Sequence, residues 1–138
     1  MKRVLLFLGL CIACVGIYLV AVPAKKVDYS TQVKPILNKN CISCHGGVKK
    51  QGGFSLLFQE EALGKTKSGK PAIVPGHPEQ SSFIQRLHST DPEEKMPYQR
   101  PALSAEEIEV LTTWVKEGAS WGEHWAYQPV KQPSIPAG

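Results

Sequence analysis

Two cysteines separated by two residues and followed at once by a histidine, Cys41-Ile42-Ser43-Cys44-His45, constrain this chain more than any other stretch. The run gathers two thiols and an imidazole within five residues. Covalent haem attachment needs that set: two sulfurs to bond two vinyl groups, and an adjacent ring nitrogen to reach the iron. Two other readings of a CxxC pair are weaker. A zinc site needs two more ligands of similar quality, and only His77 and His88 could be offered, with no second cysteine pair after residue 44. A redox dithiol would begin a helix within a βαβ pattern, and none surrounds this one. The motif is therefore read as the attachment site of one covalent haem c, with His45 as the proximal iron ligand.

A chain of 138 residues allows one domain. Lys2 and Arg3 lead an uncharged apolar run over residues 4–22, whose 19 residues nearly span a bilayer core. The run is longer than an ordinary signal-peptide core, so it is read as a membrane anchor, with cleavage near Val22-Pro23-Ala24 as the alternative. Either route carries the remainder to the periplasmic side of the cytoplasmic membrane, anchored or secreted. Cys11 and Cys14 repeat the CxxC spacing, but Val15 stands where a haem ligand is required, and the two read as small hydrophobes. Lipidation of Cys14 is disfavoured because position 11 is not aliphatic and the apolar run continues past it.

Formal charge is +4, from 16 basic and 12 acidic side chains, and without Lys2 and Arg3 the exported part is close to neutral. Nucleic acid is excluded as a partner, because it requires a clustered basic surface. Lys49, Lys50 and the lysines of residues 65–70 read as solvated loop charges. The exported part is small for a core built of side chains alone, and a covalent macrocycle would supply an apolar centre. No cysteine beyond the attachment pair is left to staple it.

Periodicity places helices at four points. Residues 29–38 carry Val33, Ile36 and Leu37 as an apolar stripe, with Asp28 or Ser30 as cap and Pro35 near the first turn. Residues 59–63 form one turn ended by Gly64. Residues 78–87 put Phe83, Ile84 and Leu87 on one side. Ser104 and Glu107 have capping-box spacing, opening a helix with Ile108, Leu111, Trp114 and Val115 on one face and Gly118 as its stop. That last helix is expected to pack on the first, with Trp114 in the core and within reach of the haem. Gly46 and Gly47 are expected to let the backbone approach a flat cofactor, and Phe54, Leu56, Leu57 and Phe58 to pack on its edge. Residues 73–76 read as a buried strand-like passage entering a turn. The organisation is thus a membrane anchor or signal segment (1–26), a haem domain (27–127) and a proline-rich tail or linker (128–138). The fold class is all-α, a small cytochrome c-like helical domain around one covalent haem.

For the opposite face of the iron the candidate is Met96, the one methionine besides Met1, set between charged residues and Pro97. A thioether is a soft ligand that favours ferrous iron and raises the reduction potential. His77 and His88 are the alternatives, and an open sixth position would permit peroxidase-like chemistry. His124 reads as a surface histidine. Iron held on both faces has little room for substrate and exchanges single electrons.

Beyond the motif, the chain resembles the Planctomycete-type cytochrome c domain family over residues 27–127. The resemblance rests on Val33-Lys34-Pro35-Ile36-Leu37, Cys41-Ile42-Ser43-Cys44-His45-Gly46, Gly52-Gly53-Phe54-Ser55-Leu56, Ile73-Val74-Pro75-Gly76, Lys95-Met96-Pro97 and the stretch from Leu103-Ser104 to Trp121. It implies an α-helical haem domain with His45 proximal and Met96 distal. Ser55 stands where an arginine is common, which removes any propionate contact made there, and Tyr98 replaces a frequent second proline. Such domains commonly precede larger domains of unassigned enzymatic role. The reading is periplasmic electron transfer through one covalent haem with His/Met ligation. Its partner would be a redox protein, or a fused or associated periplasmic enzyme. The alternatives are a haem enzyme, a redox module serving a larger enzyme, or a haem of structural or sensory use.

Overall fold

Asp28 opens the first helix. In the computed structural model, which describes residues 26–122, its Oδ1 accepts from the Thr31 backbone N–H and hydroxyl, each at 2.7 Å. The helix begins as one wide π-helical turn, Tyr29–Val33, and continues as α1, Lys34–Asn40. Pro35 accounts for the change of pitch. It has no N–H for the carbonyl four residues back, and its ring crowds that carbonyl. The wider turn, closed by Lys34 N–H to the Tyr29 carbonyl, absorbs both effects. Val33 and Leu37 are buried, as the apolar stripe requires, and the helix runs two residues beyond the expected end.

Short elements follow: α2 (Ile42–His45), the two-residue strand β1 (Lys49–Lys50), a 3-10 turn (Gln51–Gly53) and α3 (Gln59–Leu63). A second 3-10 turn (Pro78–Gln80), α4 (Ser82–His88) and α5 (Ala105–Lys116) complete the described part. The domain is mostly helical, in keeping with the all-α expectation. The expected membrane segment over residues 4–22 lies outside the described residues, as do His124 and the proline-rich tail. Among the described residues no helix is long and apolar enough to cross a membrane.

Residues 73–76 belong to no assigned strand, but Ile73 is buried and the chain turns at Pro75-Gly76, as expected. The Gly76 N–H donates to the Val115 carbonyl of α5 at 2.8 Å. One expectation needs correction: the 78–87 helix is interrupted at Ser81, whose backbone is extended. The cause is the Ser81 hydroxyl, which is fully buried. It accepts from the Val74 N–H (2.9 Å) and lies 2.9 Å from the His77 carbonyl, so it ties the preceding loop to the start of α4.

The capping box of α5 is complete. Ser104 Oγ accepts from the Glu107 N–H (3.1 Å), and Glu107 Oε2 accepts from the Ser104 N–H (2.9 Å). Trp114 is buried, as expected, but it lies in an aromatic cluster and not on the cavity wall described below. Its ring centroid is 4.9 Å from Trp121 and 6.0 Å from Tyr29, and its Nε1 donates to the Ser120 carbonyl. Burial pushes the Tyr29 hydroxyl up to about 12. This cluster joins the start of the first helix to the end of α5, and the Val27 N–H adds a 2.8 Å bond to Glu117 Oε2.

Ser81→Ala is expected to cost about 1–3 kcal/mol, because it removes the hydrogen bonds that part-buried backbone groups of the 74–77 loop make to the hydroxyl; chemical denaturation checks it. Glu107 predicts a pH dependence. The Ser104 backbone N–H, assisted by Lys39 and opposed by partial burial, holds its carboxylate below the ordinary value. The stability this lends is present above the unfolded-state pKa of about 4.3 and lost as pH falls through the lower folded-state value. Glu107→Gln is therefore expected to lower the denaturation midpoint at pH 7, and the gap to wild type to narrow below about pH 4.

Candidate haem site

Cys41 stands where α1 ends and α2 begins, with φ −120° breaking the helix between them. Its N–H still donates to the Leu37 carbonyl (2.8 Å), while its own carbonyl accepts from Cys44 N–H (3.1 Å) and His45 N–H (2.9 Å). Positions i, i+3 and i+4 of a helical turn share a face, so the turn gathers two sulfurs and one imidazole on one side. Beside it lies a predominantly apolar cavity of about 460 Å³, within the range of cofactor pockets. Cys41, Cys44, His45 and Met96 all line this cavity.

The backbone after His45 is folded by close contacts within the chain. A side chain at Gly46 would put Cβ 2.6 Å from the Ile42 carbonyl oxygen and 2.8 Å from Ile42 Cγ2, so only glycine fits. Its close approach is thus to α2. Neither Gly46 nor Gly47 lines the cavity, which corrects the expectation that they face a cofactor. Antiparallel bridges pair His45 with Lys50 and Gly46 with Lys49, and the chain returns so that Leu56 N–H donates to the His45 carbonyl at 2.7 Å. Phe54 is set edge-on to His45 (centroids 5.2 Å, 61°) and 6.1 Å from Phe83 of α4. Phe54 and Leu56 line the cavity, as expected. Leu57 and Phe58 do not; they are 43% and 60% exposed.

Burial is the main cause holding His45 below its ordinary pKa, partly offset by the neighbouring Phe54 and Gln51 backbone and reinforced by the Arg86 charge. A neutral imidazole, the form that can bind a metal, is thereby favoured. His45 Nδ1 is buried without a hydrogen-bond partner. Burial, with smaller contributions from Cys44 and Glu107, raises the Cys41 thiol to about 11. Redox dithiols work by a depressed thiol pKa, so Cys41 is poorly suited to start a disulfide exchange. Among the described residues no three His, Cys, Asp or Glu side chains cluster as a zinc site would require.

Met96 reaches the wall from the loop that follows α4, where its N–H donates to the Arg86 carbonyl at 2.9 Å. Neither alternative distal histidine is on the wall. His77 is exposed and bonds Glu79 at 3.1 Å, while His88 is exposed at a separate shallow groove with Glu79 and Gln85. The wall also carries three cations that spacing did not single out, Lys67, Arg86 and Arg100; among the described residues no carboxylate lines it. Arg86 follows Phe83 by three positions, a spacing that marks the same face of α4. Ser55, where an arginine is common in the resembled family, is buried away from the cavity wall.

The wall suits a haem: an apolar body, two free thiols, an imidazole disposed to be neutral with an unpartnered buried nitrogen, and a thioether. A helical domain with a Cys-x-x-Cys-His turn beside such a cavity has the make-up of a c-type cytochrome. Residues 41–99 match the family described as Planctomycete cytochrome C, which bears out the resemblance read from the sequence over that span. The match runs from the first attachment cysteine to just beyond Met96. At this general level the family implies haem c binding and haem-based electron transfer. No curated protein and no solved structure matches the chain.

Gly46→Ala is expected to destabilise the domain by roughly 1–3 kcal/mol, because the new methyl group must displace the α2 backbone. A thermal melt beside Gly69→Ala, where no heavy atom lies within 4 Å of the added carbon but φ is +80°, separates the clash from the strain of positive φ alone.

Proposed function

We propose that this chain is a one-electron carrier on the periplasmic side of the cytoplasmic membrane, attached through residues 4–22. Cys41 and Cys44 would hold one haem by thioether bonds, and His45 and Met96 would hold its iron. The observation that carries the reading is that these four side chains, one of them from a distant loop, line a single apolar cavity. When bound there, a haem supplies reversible ferric–ferrous exchange.

The protein residues supply the rest. His45 offers a nitrogen whose lone pair is kept available by burial, on a turn fixed by the Cys41 carbonyl. Met96 offers a soft sulfur that favours the ferrous state. Phe54, Phe83 and Leu87 exclude water from the cavity body, which keeps the local dielectric low. With His45 and Met96 both holding the iron, a substrate would find no open coordination site, which favours electron transfer over the peroxidase-like alternative. Service to a redox protein or an associated periplasmic enzyme belongs to the same reading.

The test is an optical spectrum of the full chain produced with haem-attachment machinery. A low-spin spectrum with the near-infrared sulfur-to-iron band, lost in Met96→Leu, is the expected result. A high-spin ferric spectrum that binds carbon monoxide readily after reduction would favour the enzyme. Fractionation tests the anchor: the protein is expected to sediment with membranes and to resist high-salt extraction, and a soluble product beginning near Lys25 contradicts it.

A further inference from the structure

The methionine loop is fastened to α4 at one residue. Arg86 offers its backbone carbonyl to the Met96 N–H (2.9 Å), and its guanidinium Nη1 donates to the Glu94 carbonyl (3.2 Å). The two bonds grip the loop on either side of Lys95. Arg86 also lines the cavity that holds Met96 and His45. Its carbonyl bond would survive any substitution of the side chain, but its guanidinium bond would not. Within the loop, the Lys95 N–H bonds the Asp91 carbonyl (2.8 Å) and the Glu93 N–H bonds Asp91 Oδ1 (2.9 Å). Those contacts shape the loop without fastening it to the cavity wall. Tyr98 and Arg100 beyond it are exposed and complete the cavity rim.

From this geometry we infer that Arg86 is a positioning residue for the distal ligand: its side chain clamps the loop so that the Met96 sulfur stays directed at the iron site. The inference rests on the Met96 ligation proposed above and adds a residue that does not itself bind the metal. The clamp is a charge-assisted hydrogen bond between two segments otherwise joined there by one backbone contact, and its loss shifts the loop toward conformations in which Met96 is withdrawn. A competing ligand then meets less resistance. The weakening of one charged hydrogen bond corresponds to roughly a tenfold change in that competition.

The experiment titrates exogenous imidazole into the oxidised haem-loaded full chain, following the sulfur-to-iron band, in wild type, Arg86→Met, Arg86→Lys and Met96→Leu. Arg86→Met is expected to bind imidazole about tenfold more tightly than wild type and to show a weakened band without added ligand. Arg86→Lys, which keeps a charged donor, is expected to recover most of the wild-type resistance. Circular dichroism melts of the same samples separate a loosened ligand from a damaged fold. If Arg86→Met fails to fold, Arg86→Gln at reduced temperature replaces it. Unchanged imidazole affinity and band intensity in folded Arg86→Met, or in Arg86→Gln where it replaces it, overturn the clamp while leaving Met96 ligation intact. A wild-type band absent or unaffected by Met96→Leu overturns the ligation reading, and the clamp with it.

Discussion

The carbonyl of Cys41 accepts the N–H groups of both Cys44 and His45, and that closed turn fixes where two sulfurs and an imidazole stand. It works because Cys41 itself leaves helical geometry, so α2 restarts at an angle to α1 and does not prolong it. Gly46 then lets the chain fold back against the first carbonyl of α2, which brings Phe54 beside the His45 ring. Shift the turn, and the packing of Phe54 on His45 and Phe83 shifts with it.

Within one continuous core, two groups of side chains stand out. One joins Tyr29, Trp114 and Trp121 where the first helix meets the end of α5. The other surrounds the cavity, where Phe54, Leu56, Phe83 and Leu87 face a space of about 460 Å³. A covalent macrocycle seated there would bury those apolar side chains, so stability and electron transfer would depend on the same contacts.

Much of the fold was legible because its signals are local. Asp28 caps the first helix, Ser104 and Glu107 form their box, and Val33, Leu37, Leu111 and Trp114 face inward as their spacing requires. What side-chain spacing did not show lies in backbone contacts: Pro35 widens the first turn, Ser81 interrupts the 78–87 helix to serve the loop before it, and Gly46 lies against Ile42. At the candidate site, the CxxCH turn and Met96 were visible as residue types. The convergence of Met96 with that turn, and the cations Lys67, Arg86 and Arg100 on the same wall, required three dimensions, since charged side chains on a loop or short helix read by default as solvated.

Whether the Cys41–Cys44 turn and its cavity serve one covalently held haem is read from the intact mass of the full chain, denatured after expression with haem-attachment machinery. The expected result is the added mass of one haem, retained through denaturation and absent when both Cys41 and Cys44 are replaced by alanine. A wild-type chain that leaves the same machinery at its bare polypeptide mass, or that gains haem equally well without the two cysteines, would contradict it.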